Sequence, residues 1–235
     1  YKKCDEKERN KMSNEKDFLG KEPIGKLLMR LALPTVAAQV INMLYNIVDR
    51  IYIGHIPEVG ALALTGVGVC MPLIMIVSAF AALVGNGGAP RASIFMGKGD
   101  NSSSEKILGN CFSVQVIISV VLTAILLIFN RDLLLAFGAS ENTIEYAVNY
   151  MNIYAVGTIF VQLTLGMNMF ITTQGFAKTG MLSVLIGAVM NIVLDPLFIF
   201  TLGMGTAGAA LSSVICHAVV LTIELLAVSY THLTL

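Results

Sequence analysis

The chain has 235 residues, 56% of them hydrophobic and 13% charged, with no Trp and equal numbers of basic and acidic side chains. Soluble domains carry about 25% charged residues, so this composition, with a mean hydropathy of +0.78, excludes an ordinary soluble domain. The zero net charge says nothing about a nucleic-acid partner, but no basic stripe lies outside the N-terminal arm, so no nucleic acid is expected and the lipid bilayer is the expected surrounding.

Residues 1–25 form a polar arm. Nine of the fifteen Lys and Arg, and six of the fifteen acids, fall within the first thirty positions. An arm of this kind, polar before any apolar run, does not resemble a cleaved signal peptide. Met12-Ser13 is a candidate natural start, with residues 1–11 as upstream read-through. Residues 26–228 then hold six apolar segments, each near the roughly 20 residues a bilayer requires: about Lys26–Ile53, Ala61–Val84, Ile107–Phe129, Tyr146–Ile171, Met181–Leu202 and Thr206–Val228. Polar and turn-forming breaks separate them, among them GHIPEVG, GNGGAPRASIFMGKGDNSSSEK and GMGTAG. Such continuous runs predict helices, since alternating barrel strands would interrupt them. The expected fold is all-α, a six-helix membrane bundle. Residues 229–235 turn abruptly polar and read as a non-native or truncated tail, so His232 carries no weight.

Basic residues predict the orientation. The arm, Arg91, Lys98, Lys106 and Lys178 fall on one side; Arg50 and Arg131 fall on the other, with Glu58, Asp132, Glu141 and Glu145. The N-terminus is therefore expected to be cytoplasmic, in a multi-pass protein of the plasma (inner) membrane. Cys70, Cys111 and Cys216 show no metal-ligand or disulfide spacing and read as small apolar packing residues.

Two carboxylates interrupt the apolar runs, Asp49 in span one and Asp195 in span five. A charge at bilayer depth costs roughly 2.5–3.5 kcal/mol on insertion scales and marks a functional site. Counting about 1.5 Å per residue places Asp49 near the outer end of its span and Asp195 roughly 10 Å below the outer surface, with Ser212 and Ser213 of span six at similar depth. Asn42, Asn46 and Asp49 share one helical face, as do Asn191 and Asp195. Carboxylate, amide and hydroxyl oxygens suit a hard cation, and a desolvated carboxylate can instead hold a proton near neutral pH. The site reads as one for Na⁺, for H⁺, or for both. Asp49 paired with Arg50 and an interhelical role for His217 are the bland alternatives, and Glu224 is expected to reach the cytoplasmic interface.

LALPTVAAQVINMLYNIVDRIYIG, then GALALTGVGVCMPL and LVGNGGAPRASIFMGKGD, resembles the opening of multidrug and toxic compound extrusion (MATE) transporters. ITTQGFAKTGMLSVLIGAVMNIVLDPLFIF and GTAGAALSSVICHAV resemble spans four to six of the same family. The resemblance implies a non-enzymatic, cation-coupled antiporter that exports drug-like, often cationic, compounds by alternating access, with no cofactor beyond Na⁺ or H⁺. It assigns the cation site to Asp49, Asn191, Asp195 and Ser213, with Na⁺ held by Asp49, Asn191 and Asp195. Asn42, Tyr45, Asn46 and His217 are the supporting or cavity-lining polar groups, His217 standing where the family pattern has Gln. It also implies twelve spans in two lobes around a cavity, of which only one lobe is present. A missing C-terminal lobe, or a homodimer of this one, would complete the cavity. Competing readings are a lipid-linked oligosaccharide flippase of the same superfamily, disfavoured by spans poor in Arg and Lys, and an intramembrane enzyme, for which Ser213 and His217 at i, i+4 are weak support.

Overall fold

The structure, a computed structural model, describes residues 23–233, with side chains described to residue 227. Most of the polar arm, with the candidate start at Met12, and the last two residues of the tail lie outside the described residues. Seven α-helices follow in chain order: α1 Ile24–Gly54, α2 Gly60–Gly97, α3 Asn101–Ile128, α4 Asn130–Ala136, α5 Ile144–Thr173, α6 Ala177–Pro196 and α7 Thr206–Leu233. A π-helical segment, Leu197–Thr201, continues α6. Six of these helices are long and apolar enough to cross a membrane.

The expected span two ends at Val84, yet α2 runs to Gly97. The glycines that read as a loop are packing residues. A Cβ on Gly85 would lie 2.7 Å from Met169 Sδ, and one on Gly88 would press against Cys111 and Phe170. Small residues let helices approach closely inside membranes, and a proline such as Pro90 is tolerated there when neighbours satisfy the backbone. The helix breaks only at Gly99, whose φ of 78° suits glycine,. Asp100 then caps α3, its carboxylate accepting from Ser103 N at 3.0 Å and Ser103 Oγ at 2.6 Å. Those bonds hold its carboxyl below the usual carboxylate range, so the cap persists until the pH falls through that lowered value. The short α4 lies in the break between the expected spans three and four; seven residues are too few to show a helical period,.

The middle of the bundle is α5. Of its membrane-length window 61% is buried, against 6% for α1. It packs against α2, α3 and α7, whereas α1 leans chiefly on α6. Polar side chains fasten the centre: Gln162 Nε2 donates to Val77 O of α2 at 2.7 Å, and Thr123 Oγ1 of α3 donates to Ala155 O at 2.9 Å. Such bonds have no competing water at this depth.

The α6–α7 hairpin sets the geometry of the site. Pro196 has no N–H to donate back into α6, and the helix widens immediately after it, with Leu202 N donating to Leu197 O at 2.9 Å,. Gly203 and Gly205, at φ 66° and 57°, make the reversal into α7,. Gly208 then packs directly on the widened backbone. A Cβ there would meet the Phe198 carbonyl carbon at 2.7 Å and its oxygen at 2.8 Å. Because those atoms are backbone, Gly208→Ala is expected to destabilise the lobe by about 1–3 kcal/mol, the usual cost of overpacking. A lowered thermal unfolding midpoint in detergent would register it; an unchanged midpoint would show that this contact is not tight.

Candidate functional site

On α6, Gly180, Ser183, Gly187, Asn191 and Asp195 are all buried, at steps of three and four residues. On α7 the buried row is Gly208, Ser212, Cys216, Val220 and Glu224, at steps of four,. The two rows face each other along the antiparallel hairpin. Near the reversal, Asp195 is fully buried, and its Oδ1 accepts from the Ser212 hydroxyl and, at 3.1 Å, from Asn191 Nδ2. Asn191 Nδ2 also lies 3.3 Å from Ser212 Oγ and 3.4 Å from Ser213 Oγ.

Asp49 of α1 completes the cluster. It is 7% exposed, and its carboxyl is an electrostatic neighbour of that of Asp195. Arg50 reaches Met71 Sδ through Nη2 at 2.9 Å, and its charge also acts on the Asp49 carboxyl. Three buried oxygens of the cluster have no hydrogen-bond partner: Asp49 Oδ1, Asn191 Oδ1 and Asp195 Oδ2. Two carboxylates this close repel unless a cation or a shared proton lies with them, and a buried acceptor without a donor costs stability. Three oxygens free to accept, two of them anionic, form a donor set that fits either Na⁺ or H⁺.

Asn42, Tyr45, Asn191, Ser213 and His217 line one wall of a cavity of about 390 Å³ between α1, α2, α5, α6 and α7. Asn46 does not join them. It is exposed, and its Nδ2 donates to its own helix at Asn42 O, 2.6 Å away. His217 contributes its carbonyl, which accepts from Thr164 Oγ1 at 3.1 Å. The structure therefore gathers Asp49, Asn191 and Asp195, adds Ser212 as the hydroxyl on Asp195, and leaves Ser213 on the cavity side, touching Asn191. The Gly208–Ser212–Cys216 row is the sequence signal that singles out Ser212 over its neighbour. Tyr150 and Tyr154 of α5, both 5% exposed and stacked with ring centroids 6.3 Å apart, form the buried backing; Tyr150 is an electrostatic neighbour of Asp49. Glu224 departs from expectation. It is 1% exposed and hydrogen-bonded inside the lobe, not at the interface.

These features describe a helical membrane lobe with a buried oxygen site beside a cavity, the kind of unit found in secondary transporters. The MatE family matches residues 34–197, and the chain belongs to that family. It is 27% identical over 212 residues to the multidrug export protein MepA of Staphylococcus haemolyticus, covering 88% of this chain and 46% of that protein. It is 25% identical to an FAD transporter of Shewanella oneidensis, covering 86% and 45%. Among solved structures, it resembles the outward-facing conformation of a multidrug resistance MATE family transporter of the MOP superfamily, with a TM-score of 0.78, 27% identity, and coverage of 85% and 44%. The chain spans about half the length of the curated relatives it matches, and those relatives are named as exporters and transporters, not enzymes.

Ser212→Ala removes a donor from a fully buried carboxylate and is expected to destabilise the lobe by about 1–3 kcal/mol, the cost of a lost bond to a buried polar group. Ser213→Ala, which touches only Asn191, is expected to cost less. Paired unfolding curves at one pH and salt concentration test this; a larger loss for Ser213→Ala would reassign the hydroxyl.

Proposed function

We propose that the chain is the N-terminal lobe of a cation-coupled multidrug antiporter that exports organic, often cationic, compounds by alternating access. A second lobe completes the cavity, and the protein lies in the plasma (inner) membrane with its N-terminus cytoplasmic. The observation that carries this reading is the pair of carboxyls facing each other from α1 and α6, with free oxygens on Asp49, Asn191 and Asp195. Na⁺ or H⁺ held there draws α1 against α6. When the ion leaves, the two charges repel, and α1, with only four buried residues along its 31 and Pro34 within it, is the helix free to yield. The cation thus favours one packing of α1, and a drug that prefers the other packing is displaced by it.

The cavity wall supports a neutral or cationic cargo. Among the described residues its lining contains no Lys or Arg, while Asn42, Asn86, Asn168 and Asn191 supply neutral polar groups and Met169 and Met181 adaptable apolar ones,. An anionic cargo, such as a lipid-linked oligosaccharide pyrophosphate or the dinucleotide in one relative's name, would find no counter-charge on this wall.

Substrate uptake into inverted vesicles containing the intact transporter is the test. Uptake is expected to depend on an imposed Na⁺ or H⁺ gradient, and Asp49→Asn with Asp195→Asn is expected to abolish that dependence. Separate gradients identify the ion. Coupling that survives the double substitution would refute the mechanism.

A further inference from the structure

Glu224 forms a second carboxylate cluster that the site above does not use. Its Oε1 accepts from Asn168 Nδ2 of α5 at 2.8 Å and from Ser183 Oγ of α6 at 3.2 Å. Asn168 Nδ2 also donates to Gly180 O at 3.3 Å, and Ser183 Oγ lies 2.9 Å from the same carbonyl. Oε2 is buried and has no hydrogen-bond partner. One oxygen is thus held by donors from two helices, and the other is open.

The cluster repeats the position of the first along the same seam. Ser183 lies twelve residues before Asp195 on α6, and Glu224 twelve after Ser212 on α7. At 1.5 Å per residue the two rungs stand roughly 18 Å apart. Between them Val220 fills the space above Gly187, where a Cβ would lie 2.7 Å from Val220 Cγ2. This apolar rung separates the two polar ones. Asn168 lines the cavity, so one side chain divides Glu224 from it.

The hydrogen-bond partners of Glu224 among the described residues carry no charge. From α5 and α6 the polar groups facing Glu224 are Asn168 and Ser183, neither of which titrates; on α7 the nearest titratable group toward the reversal is His217, seven residues away. Lys178 of α6 and Lys26 and Arg30 of α1 are basic residues toward the same end of the lobe. A buried carboxylate without a cationic partner is costly, and carboxylates buried in spans mark ion and proton pathways.

We propose that Glu224 is a second proton-binding site of this lobe, on the cytoplasmic half of the α6–α7 seam, taking its proton at Oε2 while Asn168 and Ser183 hold Oε1. The proton enters from cavity water and returns there, so no other group is consumed. Its role as a cytoplasmic loading step rests on the antiport reading; its existence does not.

The experiment is an infrared difference titration of the intact transporter in liposomes, performed in the Asp49→Asn, Asp195→Asn background so that those two carboxyls contribute nothing. A protonated-carboxyl C=O band is expected in that background and is expected to disappear when Glu224→Gln is added. Persistence of the band at full intensity in the Glu224→Gln protein, or its absence before that change, overturns the proposal. If Glu224→Gln does not fold, Ser183→Ala keeps the carboxyl and removes one donor; the midpoint of the band's titration is then expected to move, and an unmoved midpoint overturns the proposal equally. Vesicle coupling measured on Asp49→Asn, Asp195→Asn reports on the antiport reading alone, so the two ideas fail separately.

Discussion

The lobe is organised around two carboxyl groups that must face each other inside a bilayer. Like charges about 4 Å apart repel by about 4 kcal/mol at an effective dielectric near 20, and α1 meets its neighbours chiefly through α6. Its buried residues are Pro34, Ala38, Asp49 and Ile53, and near the same end Tyr52 meets Phe200 of the π segment edge-on at 6.3 Å. The packing of α1 is therefore sensitive to what lies between Asp49 and Asp195. A helix buried along its length would absorb that repulsion without moving; α1 opposes it chiefly through its packing on α6.

The partner surface, in contrast, is built to stay still. Asp195 sits at the end of α6 where Pro196 ends the regular hydrogen-bond ladder, and the widened turn after it is pressed against Gly208. The same hairpin presents Ser212 to Asp195, so the donor and the carboxylate are fixed by one backbone reversal. Behind them α5 supplies Tyr150, Tyr154 and the deeply buried Gln162, which ties α5 to α2. On the antiport reading, a braced hairpin and a sparsely buried helix, meeting at the ion site, are what a small ion needs in order to change the shape of a large membrane protein.

Much of this was legible in the sequence, for reasons that also explain what was not. The six spans show because bilayer thickness imposes long apolar runs, and Asp49 and Asp195 stand out because charge is expensive there. The extension of α2 through Gly85, Gly88 and Pro90 was hidden, since the same residues that punctuate loops in water permit close packing in lipid. Ser212 and Ser213 are adjacent in sequence but about 100° apart around a helix of 3.6 residues per turn, so depth counting could not choose between them. Glu224 looked like an interfacial acid because a count from the end of a span ignores which way a side chain points. The four-residue row from Gly208 through Ser212 to Glu224 carried the answer, but reading it required knowing that α6 lies opposite. No local pattern states that α1 packs chiefly on α6 and not on α2, its neighbour in the chain.

On the antiport reading, that arrangement also separates the ion from the cargo. Asn191, Tyr45 and Ser213 line the cavity, whereas Asp49 and Asp195 do not. The neutral amide and phenol face the cavity, and the carboxylates are not part of its lining. On the antiport reading, drug and cation therefore need not contest the same oxygen atoms. Each instead prefers a different placement of α1, which contributes Asp49 to the ion site and Asn42 and Tyr45 to the cavity wall. Exchange then follows from mutual exclusion of two helix packings, so cargoes of different shape can be expelled by one ion site without matching it. A wall of asparagines and methionines suits such a division of labour, because on that reading specificity for the ion is held where the cargo does not reach.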